Sequence, residues 1–84
     1  MKFKKIKLVG RITPTIEWDN RQKQYVINCK FFSAIGHGKT IEAAIGKFCE
    51  VIEQYYLLFE KNQLELDDFS KREWKKLEKN FRRV

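Results

Sequence analysis

The sequence predicts an α+β fold: a small antiparallel sheet of three to four strands packed on a long α-helix, followed by a C-terminal basic amphipathic helix. Three observations carry this. Apolar residues alternate with polar ones through the first third of the chain. From about 40 to 61 they recur every three to four residues, and from about 68 to 83 they do so again among crowded Lys and Arg. The 84 residues make a single domain, 1–84, with no repeats and no linker long enough to separate two units.

Ile6 and Leu8 alternate with lysines between Lys2 and Val9, and Ile12, Pro14, Ile16 and Trp18 continue the alternation. These are either two strands or one strand bent near Gly10. Pro14 has no N–H to give a ladder, so its strand belongs at a sheet edge or carries a bulge. Asp19-Asn20-Arg21-Gln22 reads as a hairpin turn, Tyr25 to Phe32 as the next strand, and Ser33 to His37 as a short third one.

Thr40 is the expected N-cap of the long helix, with Glu42 in the first turn where the helix dipole favours an acid. Ile41, Ala44, Ile45, Phe48, Ile52, Tyr55, Tyr56 and Phe59 share its apolar face; Glu42, Gly46, Glu50, Glu53 and Glu60 share the other. Leu57 projects from the polar side. Asn62 to Leu66 reads as an extended connector. Ser70 and Glu73 then have the spacing of a capping box for a helix over 68–83. On that helix Trp74, Leu77, Phe81 and Val84 fall within roughly 80° of arc, opposite all the Lys and Arg side chains.

The net charge of +7 is unevenly spread. Residues 1–11 carry Lys2, Lys4, Lys5, Lys7 and Arg11 with no acid. Residues 70–84 carry Lys71, Arg72, Lys75, Lys76, Lys79, Arg82 and Arg83 against Glu73 and Glu78, so the middle is mildly acidic. Two basic ends on an acidic module point to a polyanion or an acidic protein surface. Polyanion contact is therefore expected at Lys71, Arg72, Lys75, Lys76, Lys79, Arg82 and Arg83, with Lys4, Lys5 and Lys7 as a second group.

Catalytic chemistry has little to stand on. Gly38-Lys39-Thr40 mimics the end of a phosphate-binding loop, but Ser33 stands where the first glycine of G-x-x-x-x-G-K-[S/T] is required. His37 is the single histidine, so neither a metal cluster nor a convincing Cys/His dyad is expected, and the acids are scattered. No enzyme activity, metal or cofactor is predicted. Cys29 and Cys49 are too few for a disulfide framework, the basic N-terminus lacks a signal-peptide core, and no apolar run approaches bilayer length. A cytoplasmic protein with reduced thiols is the expectation.

Ile16-Glu17-Trp18-Asp19, Tyr25-Val26-Ile27, and Gly38-Lys39-Thr40-Ile41-Glu42-Ala43-Ala44-Ile45 running into Glu50 to Tyr56 together resemble the HicB-like antitoxin family, over about residues 12–60. The resemblance implies a β-β-β-α core, 12–61, similar to a partial ribonuclease H fold without its carboxylates. It implies an inhibitor that masks a small HicA-like toxin, an mRNA interferase, and associates with itself. Lys39 stands where the family usually has an acid, and no DNA-binding helix-turn-helix or ribbon-helix-helix signature follows. The expected function is a non-enzymatic binding protein of this type, its partner a toxin-like protein, in a homodimer. The alternative is a nucleic-acid-binding protein that uses the basic ends and has no toxin partner.

Overall fold

Thr40 sets the frame of the fold. In the computed structural model, which describes residues 2–84, its hydroxyl accepts the Ala43 N–H at 3.0 Å and starts helix α1, Ile41–Lys61. Three strands precede it as a meander: β2 (Thr15–Asp19), β3 (Gln24–Asn28) and β4 (Ile35–Gly38), antiparallel in the order β2-β3-β4. The earlier strand β1 covers Ile6–Leu8 and belongs elsewhere. The fold class is the α+β one expected, with the long helix on the sheet.

The β2–β3 register pairs Ile16 with Ile27 and Trp18 with Tyr25, so these four side chains share one face of the sheet. Asp19 builds the connecting turn by accepting the N–H groups of Arg21 and Gln22 at 3.0 and 3.3 Å. Pro14 lies just before β2, an edge strand, as its missing donor requires.

α1 lies over β4 and β3 and leaves β2 uncovered. Gly36 is the reason it can come so close. A Cβ there would stand 2.6 Å from the Ala44 carbonyl oxygen and 2.7 Å from Phe48 Cα, both backbone atoms. Gly38 likewise sits against Ala43 and Ala44. The Gly-x-Gly stretch that mimics half a phosphate loop is thus a seat for helix backbone.

After α1 the chain makes a 3₁₀ turn, Gln63–Glu65, where the sequence suggested an extended connector. Helix α2 covers Asp68–Asn80, and its N-cap is Asp67, whose carboxylate accepts the Ser70 N–H at 2.7 Å. The capping box read at Ser70 and Glu73 therefore does not form. Nor does the helix reach residue 83. It ends at Asn80, and Phe81–Arg83 is a strand, β5, that pairs antiparallel with β1. One long strand bent at Gly10 is excluded as well, because β1 and β2 lie in different sheets. The segment Tyr25 to Phe32 is strand only as far as Asn28.

One cluster holds everything together: Ile6, Ile27, Phe32, Ala44, Phe48, Ile52, Tyr56, Phe59, Trp74, Leu77 and Phe81 are buried and in contact. α2 docks through Trp74, whose ring lies 5.0 Å from that of Tyr56. Leu57, read as projecting from the polar side, is partly buried against this cluster. Ile41 and Tyr55, read as core, stay at its exposed rim.

Candidate polyanion interface

The two basic ends, at opposite termini of the sequence, meet in the β1–β5 ribbon. Its register sets Ile6 opposite Arg83, Lys7 opposite Arg82 and Leu8 opposite Phe81. The Val84 N–H to the Lys5 carbonyl at 3.0 Å and the Val9 N–H to the Asn80 carbonyl at 2.8 Å lengthen the pairing at either end. Ile6 and Phe81 are buried, so the intervening Lys7 and Arg82 emerge together on the outer face. By the same alternation Lys5 belongs to that face.

Like charges directly opposite on a ribbon repel and destabilise it. Here Arg82 is relieved only in part: its Nη1 donates to the carbonyls of Glu78 and Phe81, the latter at 2.8 Å, which lays the guanidinium over the last turn of α2. That contact makes the ribbon continuous with the helix. Arg72, Lys75 and Lys79 recur every three to four residues along α2, all exposed, and with Lys71 they have no ion-pair partner among the described residues.

The remaining expected contacts are either paired within the protein or face elsewhere. Lys76 reaches Glu73 at 2.7 Å, and Arg83 reaches Glu60 at 3.2 Å. Lys4 is turned away from the ribbon face and lines a cavity beside α1 together with His37 and Lys47. Sequence reasoning had grouped Lys4 with Lys5 and Lys7, and Arg82 and Arg83 with the helical cations. The structure retains Lys5, Lys7, Lys71, Arg72, Lys75, Lys79 and Arg82 as the outward-facing set.

Two acids read as solvent-facing or capping prove structural. Glu53 Oε2 accepts the N–H groups of Lys4, Lys5 and Ile6 at 2.8, 2.6 and 3.3 Å, pinning the start of the ribbon to α1. Glu73, 3% exposed, accepts the Ser33 N–H at 3.1 Å besides the Lys76 ammonium. Burial alone pushes its carboxyl up, but Lys76 and the Ser33 donors outweigh it and hold the group below the usual carboxylate range.

Neither cysteine is placed as an activated nucleophile. Cys29 and Cys49 are free and buried, and burial raises both thiols, so the reactive thiolate is disfavoured. His37 lies in β4 with its side chain exposed. Among the described residues no group of three His, Cys, Asp or Glu is placed to hold a metal ion. Among the same described residues no helix is long and apolar enough to cross a membrane.

No family model, no curated protein and no solved structure matches the chain. The site stands on its own geometry.

Proposed function

We propose that this chain is a non-enzymatic, cytoplasmic binding protein that holds the phosphate backbone of a nucleic acid on the surface formed by α2 and the β1–β5 ribbon. The observation that carries this reading is the Lys7–Arg82 pair. Antiparallel pairing forces the two cations side by side, and Lys5, Lys75 and Lys79 add to the same charge, so a bound polyanion removes repulsion that the free protein must bear.

The test is the salt dependence of binding to labelled 20-nucleotide RNA and DNA, followed by fluorescence anisotropy. Each phosphate neutralised adds about 0.7–0.9 to the slope of log affinity against log salt. Replacing Lys7, Lys75 and Lys79 together by Gln is expected to lower that slope by about 2–3. An unchanged slope with retained affinity removes this surface from the account.

A second reading has its own observation. The order β2-β3-β4-α1 is that of the core implied by the HicB-like resemblance. α1 leaves Ile16 41% and Trp18 49% exposed on the helix-side face of β2. In this reading that apolar edge masks a small toxin-like protein, or a second copy of the chain, as in a homodimeric antitoxin. Purification from native cells separates the readings: a small basic protein retained after nuclease and moderate salt favours the inhibitor, and nucleic acid released by salt favours the first.

A further inference from the structure

β4 has β3 on one side and, among the described residues, no strand on the other, which leaves its outer edge without a ladder partner there. Beside it, reached from β4 by His37, lies an open cavity of about 590 Å³ that is also lined by Ala43, Gly46 and Lys47 of α1 and by Lys2 and Lys4. Gly46 leaves open space in this lining: a Cβ built there meets nothing within 4 Å. Glycine at this place in an exposed helix weakens it by roughly 1 kcal/mol against alanine, and no internal packing compensates.

The charges around the cavity are not balanced. Glu53 is occupied by three backbone N–H groups, and Glu50 lies 3.6 Å from Lys47. Lys2 and Lys4 have no carboxylate partner among the described residues, and His37 stands on the edge strand itself. The uncommitted charge is cationic.

We propose that this cavity receives an extended acidic segment of a partner protein, which adds as a strand to the free edge of β4, passes side chains over Gly46 and meets Lys2 and Lys4 with its carboxylates. Main-chain pairing to the edge supplies affinity, and the lysines supply the choice of an acidic sequence. This site lies apart from the outer face of the ribbon and does not depend on the nucleic-acid reading.

The experiment uses the full chain and two fluorescein-labelled octapeptides, one alternating Glu and Thr, the other alternating Lys and Thr. The Glu peptide is expected to bind at least tenfold more tightly, and to slow hydrogen exchange at the β4 amides. Gly46→Trp, which adds bulk to the cavity lining at a position where a Cβ meets nothing within 4 Å, is expected to weaken the Glu peptide tenfold or more while the circular dichroism and the nucleic-acid salt slope stay unchanged. Joint replacement of Lys2 and Lys4 by Glu is expected to reverse the preference between the peptides. Equal affinity for the two peptides, undiminished binding by Gly46→Trp, or binding without protection of β4 would each overturn the proposal.

Discussion

α1 is sealed on its two sides by opposite means. Against β4 it is held by backbone on backbone, with Gly36 admitting the helix at residues 44–48, a short distance along the chain. Against the β1–β5 ribbon and α2 it is held by large side chains, Ile6 and Phe81 from the ribbon and Leu77 and Trp74 from α2, drawn from both ends of the sequence. The first contact is local and leaves no room for an added atom. The second is bulky and must close almost the whole chain into a loop, an entropy cost the sheet does not bear. The proposed polyanion surface is therefore expected to ride on the part of the molecule that opens more readily, and the β4 edge on the firmer part.

Phe81→Ala strains the comparison hardest. Phe81 is fully buried, and emptying such a site costs about 3–5 kcal/mol. Hydrogen exchange in this variant is expected to release the Val9 and Val84 amides, which hold the ribbon ends, well before those of β3. Equal loss of protection in both regions would make them one cooperative unit and break the contrast.

Gly36→Ala tests the other side. The new methyl would meet backbone rather than a movable side chain, so the helix itself must shift, at about 1–3 kcal/mol. Gly46→Ala on the same helix meets nothing and should stabilise by roughly 0.5–1 kcal/mol. Urea midpoints at constant m-value compare them directly. Similar midpoints for the two would mean that close approach does not hold α1 on β4.

The same contrast decides what the sequence could disclose. The β2-β3-β4-α1 portion was legible because its signals are local: alternation at Ile16 and Trp18, the turn at Asp19, the cap at Thr40. The ribbon was not. Trp74, Leu77, Phe81 and Val84 fit a helical period, and nothing short-range says that Phe81 leaves the helix to pair with Leu8. The candidate interface was legible as composition, two basic ends, but not as a surface: Arg83 is removed from it by a distant acid, Glu60, Lys4 by the way the chain start lies beside α1, and Lys76 by a Glu73 that is itself held by the distant Ser33. Glu53 looked like a solvent-facing acid and Glu73 like half of a capping box for the same reason: a carboxylate's worth as an acceptor depends on distant N–H groups that no spacing reveals.

Glu73 gives the finest test, since it is the polar tie between the two regions, running from α2 to Ser33 just ahead of β4. Glu73→Gln keeps an acceptor for Ser33 but gives up the charge facing Lys76, and at neutral pH should cost about 1 kcal/mol. The pH dependence carries the sharper information. Because the folded protein holds this carboxyl below its ordinary value, the unfolded chain binds the proton first. The stabilisation is thus complete above the unfolded value of about 4.3 and fades as pH falls through the lower folded value. Urea unfolding at pH 7 and pH 3 should show the wild type losing its advantage over the Gln variant in acid. An advantage that persists unchanged at pH 3 would mean that shape, and not the charge on Glu73, ties α2 to the sheet.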